Sequence, residues 1–277
     1  MSEAQDLLGV AVEVARMAGE RLARRARGGA EGSVISKSTP TDLVSEADVD
    51  SERAIRELLR ERRPRDGFIG EETEVAAETG DTGYSWVVDP LDGTVNFVFG
   101  IPQWSVSVAV RDAQGTVAGA VYDPNRQELF CARRDGPALL ADAEGENELH
   151  GRVRAVTPSA APSAEHALAA AMVATGLYYD ARVREAQGKV LERLVGRVRD
   201  IRRFGSAALD LAWTAMGRYD AYFERGVKQW DVAAGALICE RAGLRVLELP
   251  EQPELPWGIL VAPEELAGHL FELVAGV

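Results

Sequence analysis

Between Trp104 and Ala141 the chain carries four short, largely apolar runs: Trp104 to Val110, Val117 to Tyr122, Glu128 to Ala132 and Ala138 to Ala141. Turn-forming residues separate them at Ala113-Gln114-Gly115, Asp123-Pro124-Asn125 and Asp135-Gly136-Pro137. Connections this short leave no room for crossover helices, so the spacing predicts an antiparallel meander. The flanking segments carry a different periodicity. Leu7, Leu8, Ala11, Val14, Ala15, Ala18 and Leu22 recur at helical spacing. A second helix follows Ser45, with Asp48 three residues on as in a capping box. Ala47, Ala54, Ile55, Leu58 and Leu59 form its buried stripe, and Pro64 and Gly67 end it. Phe68-Ile69 reads as a short strand running into Glu71-Glu72, and Trp86-Val87-Val88 as a strand stopping at Asp89-Pro90.

Beyond Glu144 to Gly151, read as one more turn, the best boundary is Thr157 to Pro162. Two halves are expected, 1–150 and 151–277, with that segment at the start of the second. The second half alternates: strand Ala169 to Ala174, helix Val183 to Leu194, strand Ile201 to Phe204 and helix Ser206 to Met216. Strand Tyr219 to Phe223, helix Val232 to Ala242, strand Ile259 to Ala262 and a helix after Pro263 complete it. Mixed sheets covered by helices, an α+β arrangement, are the expected outcome.

Charge and cysteine content narrow the function. With 31 basic against 44 acidic residues, the net charge is -13. That disfavours nucleic acid and anionic membranes, both of which need clustered positive charge. Acidic side chains can instead gather metal cations. Two distant cysteines, Cys131 and Cys239, exclude a disulfide scaffold and a thiolate zinc site. Their scarcity suits a reducing cytoplasm. The apolar run Ala167 to Tyr179 is shorter than the roughly 20 residues a membrane-spanning helix needs. The expectation is a soluble cytoplasmic protein.

The sharpest chemical feature is Asp89-Pro90-Leu91-Asp92-Gly93-Thr94. An apolar strand delivers Asp89 to its carboxyl end, and Asp92 follows closely enough for both carboxylates to face one point. Gly93-Thr94 opens a turn or helix, leaving backbone N–H groups aimed the same way. Hard cations want oxygen ligands, and helix N-termini favour phosphate. The competing reading is two acids capping a helix start. Glu71 beyond its own strand, Asp231 before an apolar helix, and Asp42 and Asp48 before the second helix are further acids of the same kind. Taken singly, each is equally a solvated acid or an N-cap.

Taken together, Gly70-Glu71-Glu72, then Trp86-Val87-Val88-Asp89-Pro90-Leu91-Asp92-Gly93-Thr94-Val95-Asn96-Phe97, then Trp230-Asp231-Val232-Ala233-Ala234-Gly235 resemble the inositol monophosphatase family of metal-dependent phosphatases. The stretch Lys37 to Asp48 and the stretch Arg202-Arg203-Phe204-Gly205-Ser206-Ala207-Ala208-Leu209-Asp210 are similar to the same family. The resemblance covers at least Lys37 to Gly243, in the family's order.

That resemblance implies a layered α-β-α-β-α sandwich and two to three Mg²⁺ per site. Glu71, Asp89 and the Leu91 carbonyl are the implied ligands of the first ion. Asp89, Asp92 and Asp231 are those of the second, and a weaker ion lies near Glu71. Glu71, Asp48 and Thr94 are the implied catalytic residues, Thr94 and Asp48 orienting the attacking water. Gly93 and Thr94 amides would hold phosphate oxygens, with Lys37 near them. Arg202, Gly205, Ser206, Ala207 and Glu224 would line the alcohol pocket. Lys228 departs from the histidine common at that position in animal relatives, which bears on substrate preference. Inositol monophosphate is the implied substrate, with Li⁺ sensitivity and a homodimer. Glu224 favours a polyol, because a carboxylate accepts hydrogen bonds from hydroxyls and repels a second phosphate; its bland alternative is a surface residue paired with Arg225 or Arg203. Rival substrates are histidinol phosphate, fructose 1,6-bisphosphate and an adenosine 3′,5′-bisphosphate. A rival of another class is a regulatory binding protein that keeps the phosphatase fold.

Overall fold

The computed structural model describes residues 2–28, 34–36, 43–72, 80–151 and 164–276. Lys37, Asp42 and the boundary segment 157–162 lie outside the described residues. In chain order the elements are α1 (Glu3–Arg27), β1 (Val34–Ser36), β2 (Leu43–Ser45), α2 (Glu46–Arg62), β3 (Gly67–Gly70), β4 (Ser85–Asp92) and α3 (Thr94–Val98). The meander follows as β5 (Ser105–Asp112), β6 (Gly115–Asp123), β7 (Glu128–Arg133), β8 (Ala138–Asp142) and β9 (Gly145–Glu148). Then come α4 (Ala164–Ala170), β10 (Met172–Thr175), α5 (Ala181–Val195), β11 (Asp200–Arg202) and α6 (Ala207–Met216). The last are β12 (Ala221–Arg225), α7 (Gln229–Arg241), β13 (Arg245–Leu249), β14 (Gly258–Ala262) and α8 (Glu264–Val274).

The alternation of side chains along the strands sorts the molecule into layers. On the seven-stranded sheet, ordered β3-β4-β5-β6-β7-β8-β9, Trp86, Val88, Val106, Val108 and Val110 pack in one core with α1 and α2. Their neighbours Val87, Ala109, Val121 and Phe130 enter a second core with α6 and α7. The five-stranded sheet, ordered β11-β10-β12-β14-β13, divides the same way. Ala174, Tyr222, Ile259 and Val261 join that middle core, whereas Val173, Ala221, Phe223, Leu260 and Ala262 face α4, α5 and α8. The result is the α-β-α-β-α sandwich. The inner strands of both sheets are apolar on two faces because helices cover both, at roughly 1.5–3 kcal/mol for each large side chain removed from water. Among the described residues no helix is long and apolar enough to cross a membrane.

The structure departs from the sequence pattern at several elements. Ala169 to Ala174 is not one strand: α4 runs to Ala170, and β10 begins at Met172. The all-alanine stretch there has no period to separate helix from strand. The turn expected over Glu144 to Gly151 contains β9, an edge strand exposed at all four residues, so its polarity carries no burial signal. β13 lies at the edge of the other sheet and was not anticipated; Arg245 and Glu248 interrupt its apolar pattern. β4 does not stop at Pro90. It continues to Asp92 across an irregularity in its pairing with β5, between Asp89↔Ser107 and Asp92↔Ser105. That irregularity is a bulge at the end of the apolar run, and it presents the acids.

Candidate functional site

Asp89 ends the regular part of β4, where β3 and β5 flank it. Its Oδ1 accepts the Leu91 N–H at 3.0 Å, closing a turn around Pro90. The Ser51 hydroxyl of α2 donates to the Pro90 carbonyl at 3.0 Å and fixes that turn from below. Glu71 leaves the neighbouring β3, its N–H bonded to the Val88 carbonyl. Asp231 sits in the first turn of α7, and its Oδ2 accepts the Lys228 N–H at 2.7 Å. One carboxylate oxygen from each of Glu71, Asp89 and Asp231 lies within 4.8 Å of the other two. Two neighbouring strand ends of one sheet and a helix start thus place three acids on one point.

Three acids this close are costly without a cation. Burial raises Asp89 well above the ordinary aspartate range, and Glu71, Asp92 and Asp231 push it further. Burial likewise raises Asp231 well above that range, with Glu71 adding to the effect. The all-oxygen donor set matches a hard divalent cation, which would relieve this repulsion.

Beside the acids, the Thr94 hydroxyl lies 2.6 Å from Asp48 Oδ1 and 3.1 Å from the Leu91 carbonyl. It has one proton, and the shorter bond to the charged acceptor takes it. Asp48 is fully buried, and its other oxygen accepts the Ser45 N–H at 2.8 Å and the Ser45 hydroxyl at 2.6 Å. The capping box legible at Ser45 therefore also aims Asp48 at Thr94. Between them Gly93 has φ +98°, and a Cβ there would come within 3.0 Å of the Gln103 carbonyl. Only glycine fits both demands.

Asp92 does not join the three-acid cluster. Its oxygens accept from the Ser206 hydroxyl at 2.5 Å, the Ala208 N–H at 2.9 Å, the Ala207 N–H at 3.1 Å and the Ser105 hydroxyl at 3.3 Å. It caps α6 from a distant strand. Burial raises its pKa, and these bonds oppose the rise. Ser206 and Ala207 are thereby engaged with Asp92, while Gly205 occupies a left-handed turn at φ +82° before them. Arg202 is turned to Asp200, its nearest oxygen 2.6 Å away.

Glu224 is half-buried at the end of β12, not on the surface. Burial pushes its carboxyl up to about 7; the Tyr222 hydroxyl and the Arg203 charge pull it down, and Asp92 raises it. Arg225 does not pair with it, being directed at the Pro250 and Pro256 carbonyls at 2.9 Å.

Two contributors went unanticipated. Glu52 is buried on α2, and its Oε2 accepts the Glu72 N–H at 2.8 Å, holding the turn that carries Glu71. An acid four residues after Asp48, on the same helix face, was the available signal. Asn96 donates to the Gln103 and Phe204 carbonyls, both at 2.7 Å, and ties α3 to the segment before α6. Only its place within the Thr94 to Phe97 motif hinted at a role.

The model of the inositol monophosphatase family matches residues 3–276. The chain belongs to this family. The inositol-1-monophosphatase SuhB of Mycobacterium tuberculosis strain H37Rv is 45% identical over 224 residues, covering 79% of this chain and 73% of the relative. The Nus factor SuhB of Pasteurella multocida is 40% identical over 238 residues, covering 86% of this chain and 83% of the relative. Among solved structures, the extragenic suppressor protein suhB from Bartonella henselae superposes with a TM-score of 0.82 at 33% identity, covering 96% of this chain and 97% of that one. A family fold, an acidic cluster and phosphatase relatives together support a metal-dependent phosphatase.

Proposed function

We propose that the chain is a Mg²⁺-dependent phosphomonoesterase that releases inositol and phosphate from inositol monophosphate. The observation that carries this reading is the convergence of Glu71, Asp89 and Asp231 within 4.8 Å, beside the Thr94–Asp48 hydrogen bond. Glu71, Asp89 and the Leu91 carbonyl would hold one ion. Asp89, Asp231 and, after leaving α6, Asp92 would hold a second, with a weaker position near Glu71. Bound Mg²⁺ would supply Lewis acidity, easing deprotonation of water and neutralising charge on the ester oxygens.

The side chains account for the remaining chemistry. Because the Thr94 hydroxyl donates its hydrogen bond to Asp48, the lone pairs of Thr94 Oγ1 are left to accept a hydrogen bond from the attacking water. Backbone N–H groups at Gly93 and Thr94 receive phosphate oxygens, with Lys37 supplying positive charge. Glu224 and the Gly205 to Ala207 turn contact the alcohol, Arg202 standing nearby. The site then spans the two halves, 1–150 giving Lys37, Asp48 and the residues from Glu71 to Thr94, and 151–277 giving Arg202, Gly205 to Ala207, Glu224 and Asp231.

The test is phosphate release from a panel containing inositol monophosphate, histidinol phosphate, fructose 1,6-bisphosphate and adenosine 3′,5′-bisphosphate, with Mg²⁺ or EDTA. Release that requires Mg²⁺ and has its highest kcat/KM on inositol monophosphate is expected. Higher kcat/KM on another ester overturns the substrate, and release undiminished by EDTA overturns the metal. We further expect a cytoplasmic homodimer, with twice the chain mass of 29.9 kDa in light scattering. A second reading, a regulatory binding role, is favoured by the relatives named Nus factor SuhB. An Asp89→Asn variant that loses hydrolysis but still performs the cellular role would separate the two.

A further inference from the structure

Residues 222 and 224 alternate on β12, so their side chains leave the same face of the sheet. Tyr222 is fully buried in the middle core. Its hydroxyl donates to Glu224 Oε2 at 2.9 Å. A phenylalanine would fill that core equally well, so packing alone does not account for the hydroxyl.

A second contact comes from the neighbouring strand. β10 runs parallel to β12 with Thr175 opposite Phe223, which brings Gly176 level with Glu224. A Cβ at Gly176 would lie 2.0 Å from Glu224 Cδ and Oε1, and 2.1 Å from Oε2. The φ of Gly176 lies outside the left-handed region, so the backbone does not demand glycine there. The carboxyl group stands in that space instead, so any side chain at 176 would push it out of its place.

We infer that Tyr222 and Gly176 are positioning residues for substrate selectivity, holding the Glu224 carboxylate in the orientation from which it accepts the hydroxyls of the departing alcohol. The inference rests on the proposed contact between Glu224 and a polyol. A free glutamate would lose rotamer freedom when substrate binds; here that freedom is already given up in the folded chain, so binding costs less. The hydroxyl bond engages Oε2 alone, leaving Oε1 and one lone pair of Oε2 to accept from substrate. Substrates without ring hydroxyls gain nothing from this arrangement, which makes it a device for discrimination.

The experiment compares kcat/KM for inositol monophosphate with that for phenyl phosphate at saturating Mg²⁺. The proteins are wild type, Tyr222→Phe, Gly176→Ala, Glu224→Gln and the double variant Tyr222→Phe/Glu224→Gln. Tyr222→Phe should lower the inositol-to-phenyl ratio roughly five- to tenfold, chiefly through KM for the inositol ester. Gly176→Ala should lower the same ratio, and it decides the matter if Tyr222→Phe does not fold. In the Glu224→Gln background Tyr222→Phe should change the ratio less than about twofold, because the two residues act as one unit. Equal losses on both substrates, or a full Tyr222→Phe effect in the double variant, would overturn the inference while leaving the Glu224 contact intact. A ratio preserved in Glu224→Gln would overturn the polyol contact itself, and this inference with it.

Discussion

Asp92→Asn distinguishes two roles for one side chain. In the structure Asp92 is an acceptor for four donors, two of them the Ala207 and Ala208 N–H groups that α6 cannot satisfy internally. Asparagine keeps the shape but turns one oxygen into a donor. If the NH₂ took the Oδ2 place, it would face the Ala208 N–H and the Ser206 and Ser105 hydroxyls. In the Oδ1 place it would face only the Ala207 N–H. The second orientation is cheaper and leaves one buried N–H unsatisfied, about 1–3 kcal/mol. Loss of negative charge at the start of α6 adds roughly 0.3–1 kcal/mol, and removal of a buried charge offsets part of it. The expected outcome in EDTA is a stability loss of about 1–3 kcal/mol, read by urea unfolding, with a Tm lower by roughly 2–4 °C per kcal/mol. With saturating Mg²⁺, kcat should fall at least tenfold, because a charged ligand is lost from the transition state. Stability in EDTA equal to or above wild type would refute the capping argument. Turnover above about a tenth of wild type would refute the metal role.

Thr94→Val should lower kcat by roughly 10²-fold with little change in KM, while Thr94→Ser retains most of it, in steady-state assays on the inositol ester. The metal-free protein should lose stability as pH rises. Glu224 is raised from 4.5 to about 7, so the folded state binds its proton more tightly than the unfolded chain. That contribution is complete below pH 4.5 and lost as pH climbs through about 7; buried Asp89 and Asp231 act in the same direction. Melting scans in EDTA from pH 5 to 8 should show the decline and Mg²⁺ should reverse it at pH 8; a flat profile would contradict it. Li⁺, close to Mg²⁺ in radius with half the charge, should inhibit turnover more deeply as substrate rises. Equal inhibition by Na⁺ at matched ionic strength would count against this.

Much of the site was legible because each acid sits next to a local signal. Asp89 and Glu71 follow apolar strands, Asp231 opens an apolar helix, and Asp48 completes a capping box. Those signals act over a few residues. The attachment of Asp92 to Ser206 spans 114 positions, and nothing near Asp92 announces it. Tyr222 reads as one more apolar residue in a strand, since a sequence pattern does not show where a hydroxyl points. The sheets were legible where burial imposes a period and failed at β9 and β13, edge strands whose outward polarity imitates a loop.

The middle helical layer has a consequence for the order in which the protein is made. Residues 67–148 contain every strand of the seven-stranded sheet, so that sheet can pair while the rest of the chain is still on the ribosome. One of its faces, bearing Val87, Ala109, Val121 and Phe130, has no cover until α6 and α7 emerge some sixty to ninety residues later. A nascent chain at that stage shows an apolar sheet face to solvent, the kind of surface that recruits holding chaperones or aggregates. The segment that ends the exposure is α7, which also delivers Asp231 to Glu71 and Asp89. Concealment of the sticky face and completion of the acidic triad are therefore one event.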